Sequence, residues 1–179
     1  MVLIGGRPVG RHIEQHDVFF GIAASLEELY PAIDEFWPEA EKKWHIDSWR
    51  EINYVDGFNV SVVDKNDSSP IQARSAERLY FVNLGGYKEN DMEEYHYKLL
   101  TVAADKGVAV AQSKLTAFYK HTGFKGASSH IDDKYSIDVD DLYELENILP
   151  KRMLQSYHII LTSSISGIED KLHIGYLKR

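Results

Sequence analysis

The sequence predicts an α+β protein of mostly antiparallel sheet, built from two ββα-centred internal repeats. Three observations carry this prediction: short motifs recur about 80 residues later, each repeat holds one helix-like segment, and the tail holds two strand-like runs. We assign repeat one to residues 1–63, a connector to 64–77, repeat two to 78–149 and a C-terminal β-hairpin to 150–179. Because each repeat alone is too small for a large core, we expect both to pack with pseudo-twofold symmetry into a single domain, residues 1–179.

Each repeat opens with a strand that ends at a diglycine, which begins at Gly5 in repeat one and at Gly85 in repeat two. A second run rich in β-forming residues follows, over residues 16–24 and 96–104. Both runs end at a residue type that favours helix N-caps, Ser25 and Asp105 respectively. The sequence therefore predicts two strands and the start of a helix in each repeat.

The helix of each repeat is predicted from apolar residues spaced three and four apart, which lie on one helical face. In repeat one these residues are Leu26, Leu29, Ile33, Phe36 and Trp37, and in repeat two Val108, Ala111, Leu115, Phe118 and Tyr119. The expected helices are 25–37 and 105–120. Pro31 should kink the first helix, and Trp37-Pro38 should interrupt or end it.

The two repeats differ after their helices. In repeat one, Asp56-Gly57 separates two strand-like runs and predicts a two-residue β-hairpin turn. In repeat two, residues 142–149 have apolar residues at helical spacing after Asp138, which predicts a short helix with Asp138 as its N-cap. The tail adds strand-like runs at 156–162 and 171–177, which we expect to pair with each other as the C-terminal hairpin.

Composition excludes several classes of function. The chain of 179 residues has no cysteine, so thiol catalysis, cysteine-ligated metals and disulfides are excluded. A net charge of −8 argues against a nucleic-acid partner, and the sequence has no apolar run long enough to span a membrane. We expect a cytoplasmic protein.

The charge is uneven along the chain. Residues 1–77 carry 7 basic against 14 acidic side chains and residues 150–179 carry 5 against 2, so the tail is suited to dock on repeat one.

A repeated set of polar residues is the strongest candidate for a functional site. Glu-x-His occurs at 14–16 and 94–96, and His-Ile-Asp at 45–47 and 130–132, so we expect each His-Ile-Asp to lie near the Glu-x-His of its own repeat. The candidate binding residues are Glu14, His16, His45, Asp47, Glu94, His96, His130 and Asp132. Two imidazoles and two carboxylates suit a transition-metal ion or a hydrolytic site. The alternative is a polar network that holds no metal, and we expect no metal and no cofactor.

These motifs resemble a known family. Leu84-Gly-Gly86, Glu94-x-His96, the segments 130–135 and 137–141, and the shorter His45–Trp49 are similar to a small bacterial family, domain of unknown function 1543. Members carry the domain in one or two copies, so the resemblance implies two tandem copies and a bacterial source. It implies no chemistry.

No catalytic motif is present in the sequence, and we therefore expect a non-enzymatic binding or assembly module. The alternative is a small metal-dependent or acid/base hydrolase that uses the repeated Glu-x-His and His-Ile-Asp sets. The partner is a small molecule or a protein, and a homo-oligomer is left open.

Overall fold

The chain divides into two units in the computed structural model, which describes residues 1–68, 75–87, 90, 92–115 and 138–178, without the side chains of Tyr87 and Asp138. The first unit comprises Met1–Gln72 and Ile148–Arg179, and the second comprises Ala73–Asn147. Both are mixed α+β structures in which the strands pair antiparallel, as the sequence predicts. No helix of the described part is long and apolar enough to cross a membrane.

A four-stranded sheet forms the centre of the first unit, in the order β10-β3-β1-β2. Its strands are β1 (Val2–Gly6), β2 (Gln15–Phe19), β3 (Trp44–Trp49) and β10 (His173–Lys178). Val2 and Ile4 point from β1 into an apolar core that also contains Ile46 of β3. Since strand residues alternate between faces, Gly5 lies on the opposite face of this sheet.

The helix that covers the core face is shorter than predicted. A 3₁₀ turn at Glu27–Leu29 leads into α1 (Tyr30–Phe36), whose buried residue Ile33 packs in the core. Pro31 does not kink the helix as predicted: it lies in the first turn, where a missing backbone N–H costs nothing. Trp37-Pro38 ends the helix as predicted, and a second 3₁₀ turn follows at Pro38–Ala40.

A second, three-stranded sheet of the first unit has the order β4-β5-β9. It consists of β4 (Tyr54–Val55), β5 (Phe58–Asp64) and β9 (Tyr157–Ser163), and α4 (Lys151–Ser156) precedes β9. The predicted hairpin turn is confirmed, with Asp56 at φ 48° and Gly57 at φ 85°.

The predicted C-terminal hairpin is wrong. β9 pairs with β5 and β10 pairs with β3, so the two tail strands extend different sheets of the first unit. β9 pairs along all of β5, from Tyr157 opposite Asp64 to Ser163 opposite Phe58, and this pairing uses every residue of β9. The tail does associate with the first repeat, in agreement with its opposite charge.

The second unit has a three-stranded sheet in the order β7-β6-β8. Its strands are β6 (Arg78–Tyr87), β7 (Glu94–Ala103) and β8 (Asp138–Glu144), and its helix is α2 (Lys106–Ser113). Asp105 caps α2 as predicted, because its side chain accepts a hydrogen bond from the Val108 N–H at 2.9 Å. The rest of the predicted helix 105–120 lies largely outside the described residues.

The predicted helix at 142–149 is mostly wrong, because Asp138–Glu144 is a strand and only α3 (Leu145–Ile148) is helical. The misleading signal was the spacing of three between apolar residues. Val139 and Leu142 both pack against the core of the second unit. They share a face because the register of β8 shifts between them, as in a β-bulge, and the shift replaces the usual alternation.

The central sheets of the two units share a pairing register. Gly5 of β1 lies opposite His16 of β2, and Gly85 of β6 lies opposite His96 of β7, so both pairs are offset by 80 residues. The register shift also recurs, between Leu3 and Ile4 in one sheet and Asn83 and Leu84 in the other. The pseudo-twofold packing of the repeats stays a prediction.

Candidate functional site

The first candidate site lies above Gly5, in β1, one of the two inner strands of the first sheet. Gly5 is paired with His16 on one side and with His45 on the other, so both histidines belong to the face that carries Gly5. A Cβ atom at Gly5 would lie 2.6 Å from His45 Nε2 and 2.8 Å from Asp47 Oδ2. The glycine is therefore required by the side chains that lie across it, and not by its backbone angles.

A bulge in β3 brings Asp47 onto the same face. Leu3 pairs with Ser48 and Ile4 pairs with Ile46, which leaves Asp47 as the extra residue. A bulge of this kind re-aims a side chain locally. Ile46 stays in the core while His45 and Asp47, on either side of it, turn toward Gly5. His45-Ile46-Asp47 thus forms part of a strand.

Four side chains make close contacts at this first site. His45 Nε2 lies 3.0 Å from Glu14 Oε1 and 3.1 Å from Asp47 Oδ1, and His16 Nε2 lies 3.3 Å from Asp47 Oδ2. The side chain of His45 is 8% exposed, whereas those of Glu14 and His16 are about half exposed. The predicted proximity of His45 to Glu14 is confirmed.

One acceptor of this site is incompletely satisfied. Asp47 Oδ2 is buried and has no hydrogen-bond partner, although it lies 3.3 Å from His16 Nε2. The His16 ring is therefore within ion-pair distance of this oxygen but is not directed at it for a hydrogen bond. A buried carboxylate oxygen without a donor is costly, and in native proteins it calls for an explanation such as an ion.

The C-terminal strand covers the first site. The ring of Tyr176, in β10, lies 4.2 Å from the ring of His45 between centroids. Further along the same pair of strands, His173 stacks on Trp49 at 4.0 Å. The tail therefore supplies an aromatic cover for His45 as well as a strand.

The second candidate site lies above Gly85, at the equivalent register position of the second unit. His96 Nε2 is 3.3 Å from Asp140 Oδ2 and 3.6 Å from Glu94 Oε2. A Cβ atom at Gly85 would lie 2.2 Å from Asp140 Oδ2, so the carboxylate occupies the space above the glycine. All three side chains are between 30% and 39% exposed.

The three ligand atoms of the second site lie within 4.8 Å of one another. Among the described residues, this is the one group of three histidine or acidic side chains that meets this spacing. The first site has four candidate ligands, but no three of their ligand atoms lie within 4.8 Å of one another.

The structure brings six of the eight predicted residues into these two sites. Glu14, His16, His45 and Asp47 form the first site, and Glu94 and His96 form part of the second. His130 and Asp132 lie outside the described residues.

Sequence reasoning missed Asp140. Asp138, Val139 and Asp140 occupy in β8 the positions that His45, Ile46 and Asp47 occupy in β3, each beside a central glycine and a register shift. In these sheets the segment equivalent to His45-Ile46-Asp47 is therefore Asp138-Val139-Asp140, and not His130-Ile-Asp132 as predicted from the sequence. The signal that could have found Asp140 is the pattern of an apolar residue followed by aspartate at the start of the third strand.

Comparison with known proteins gives a match to a family model over part of the chain and a similarity to a solved structure. The family model of domain of unknown function 1543 matches residues 11–62, a stretch that contains all four residues of the first site. The chain is similar to a crystal structure of protein Il1583 from Idiomarina loihiensis, with 25% identity and a TM-score of 0.56 over 98% of this chain and 93% of that one. A comparison with curated proteins gives no match.

Proposed function

We propose that the protein binds a divalent first-row transition-metal ion at the second site, through Glu94, His96 and Asp140, and that it acts as a binding protein and not as an enzyme. The observation that carries this proposal is the convergence of three ligand atoms within 4.8 Å above Gly85. Bonds of about 2.1 Å to one ion place neighbouring ligand atoms about 3.0 Å apart at right angles and about 3.4 Å apart in a tetrahedron. The contacts of 3.3 and 3.6 Å are close to these separations.

Charge and ligand type favour this class of ion. Two ionised carboxylates contribute a charge of about −2, which a divalent cation balances when the imidazole is neutral. An imidazole ligand suits zinc, cobalt, nickel, copper or iron, whereas calcium and magnesium take oxygen ligands.

The use of both carboxylates as ligands favours binding over hydrolysis. A metal-dependent hydrolase needs a general base within reach of the water that it activates. At the second site the two acidic ligands, Glu94 and Asp140, would both be bound to the ion, so neither would serve as that base.

This proposal departs from the expectation of a site without metal. That expectation rests on a sequence without cysteine, without an HExxH motif and without a compact histidine cluster, and Asp140 is not among the residues predicted for the site. With Asp140 included, the site has three convergent ligands and a glycine that leaves room for one of them.

We further propose that the two units are tandem copies of one domain from a bacterial protein. The shared offset of 80 residues in the pairing of the first two strands supports this, as does the recurrence of the register shift. The cytoplasmic location, the absence of a nucleic-acid or membrane partner and the oligomeric state stay predictions.

Calorimetric titration with Zn²⁺ tests the metal-binding proposal. The full chain is prepared without a histidine tag, stripped with a chelator, and compared with His96→Ala and with Gly85→Ala. We expect both variants to lose at least tenfold in affinity at one site, because the first removes a ligand and the second displaces Asp140. The matched control is His173→Ala, which removes a histidine that stacks on Trp49 and belongs to neither site.

Equal Zn²⁺ binding by the parent chain, His96→Ala and His173→Ala would overturn the proposal, as would a parent chain that does not bind Zn²⁺. Circular dichroism of each variant checks that the fold is retained. Because His96 is partly exposed, its substitution removes no core residue, and Gly85→Ala displaces the partly exposed Asp140.

A further inference from the structure

We infer that the first site is a second, separate binding site for the same class of metal ion, with His16, His45, Asp47 and Glu14 as its ligands. This inference rests on the proposed function, because it takes the second site as the simpler example of the same arrangement. It adds to the proposed function a second ion, in the first unit, with four candidate ligands in place of three.

The position in the fold is the first argument. In each unit the central strand of the sheet has a glycine opposite a histidine of the next strand, His16 or His96. On the other side of the glycine, a register shift turns an aspartate over it, Asp47 or Asp140. A ligand that fits above Gly85 therefore has an equivalent place above Gly5.

The unsatisfied oxygen of Asp47 is the second and independent argument. The two oxygens of this carboxylate lie between two imidazoles, with Oδ1 3.1 Å from His45 Nε2 and Oδ2 3.3 Å from His16 Nε2. Oδ2 is buried without a hydrogen-bond donor. An ion bound to His16 and Asp47 would give this oxygen the positive partner that the protein does not supply.

The rigidity of the ligands differs across the first site. His45 is buried, contacts Tyr176 and is fixed in β3, so it would bind with little loss of side-chain freedom. Glu14 and His16 are about half exposed and can rotate. Rotation of Glu14 and His16 toward Gly5 would bring the ligand atoms of the first site as close together as those of the second site.

Two imidazole ligands should make the first site the tighter one. Imidazole nitrogen binds zinc, cobalt, nickel and copper well, and the second site offers one histidine among its described residues. Burial of His45 also limits the access of water to the ion. We expect the affinity for Zn²⁺ at the first site to exceed that at the second by tenfold or more.

The stoichiometry of Zn²⁺ binding tests the inference on the full, untagged chain. We expect two equivalents in the parent chain and in the control His173→Ala, and one equivalent in each of His16→Ala, His45→Ala and His96→Ala. His16→Ala is the decisive variant, because His16 is half exposed and is the ligand beside the unsatisfied Asp47 Oδ2. The ligand atoms of Glu14, His45 and Asp47 that remain do not lie within 4.8 Å of one another, unlike those of the second site, so we do not expect them to hold an ion. The remaining equivalent should be the weaker one in His16→Ala and the tighter one in His96→Ala.

The outcomes separate this inference from the proposed function. A parent chain that binds one equivalent, lost in His96→Ala and kept in His16→Ala, would overturn the first site and leave the second. One equivalent lost in His16→Ala and kept in His96→Ala would overturn the proposed function and leave the first site. Should His45→Ala unfold more easily while His16→Ala binds two equivalents like the parent chain, the first site is a structural network and the inference is wrong.

Discussion

Gly5→Ala is the sharpest test of how the first site is built. The new Cβ would lie 2.6 Å from His45 Nε2 and 2.8 Å from Asp47 Oδ2, closer than such contacts occur. His45 is buried, so its ring cannot move aside without losing its contacts to Glu14, Asp47 and Tyr176. We expect the substitution to displace the ring and to destabilise the first unit.

The magnitude follows from three terms. Overpacking a filled site costs about 1–3 kcal/mol. The lost contacts of His45 add less than a fully buried ion pair would, because Glu14 is about half exposed and water screens it. Replacing a strand glycine by alanine recovers about 0.4–1 kcal/mol from the unfolded state. The net loss in the free energy of unfolding is therefore about 1–2 kcal/mol.

Tryptophan fluorescence during urea unfolding measures this loss in the unit concerned, because Trp37, Trp44 and Trp49 all lie in the first unit. The matched control is Gly6→Ala, since the Gly6 side of β1 faces Trp37 and its nearest contact would be the Lys43 carbonyl at 3.2 Å. We expect Gly6→Ala to cost less than Gly5→Ala. An unchanged urea midpoint for Gly5→Ala, or a larger shift for Gly6→Ala, would refute this account of the site.

Three further predictions concern stability. Asp105→Ala removes the cap that accepts from the Val108 N–H, and should cost about 1 kcal/mol in chemical denaturation followed by far-UV circular dichroism. Trp44→Phe removes the 2.9 Å hydrogen bond from Nε1 to Asp34 and part of a buried ring, and should cost about 2 kcal/mol in the same assay. Burial raises the pKa of Tyr80 above its usual 10.0, so the folded state holds this proton more tightly than the unfolded state. The resulting stabilisation is complete below about pH 10 and is lost as the pH rises above it, so the free energy of unfolding falls there. Tyr80→Phe should flatten this alkaline decline, and equal slopes for parent and variant between pH 9 and about pH 11 would contradict it.

The elements that sequence reasoning predicted well are those set by local chemistry. Asp56-Gly57 forms its turn because both residues tolerate positive φ, and Asp105 caps α2 through its own side chain. Glu14 and His16 were found because a spacing of two puts residues on one face of a strand.

The elements that were predicted badly depend on pairing between strands that are far apart in the sequence. Leu142 has helical spacing to Leu145, and only the pairing of β8 with β6 shows that Leu142 belongs to a strand. The separation of β9 from β10 depends on strands more than 90 residues earlier in the chain. Asp140 was missed for the same reason, because the shift that turns it over Gly85 is a property of two strands together.

The placement of the second unit between β5 and β9 affects the order in which the chain can fold during synthesis. All described strands of the second unit are complete at Glu144, before the ribosome has made β9 or β10. At that stage β3 and β5 lack the partners that the tail later supplies, and exposed strand edges of this kind can pair with other chains. Because long-range strand pairing is slow, the first unit should become resistant to proteases after the second unit, although β1 leaves the ribosome before any strand of the second unit.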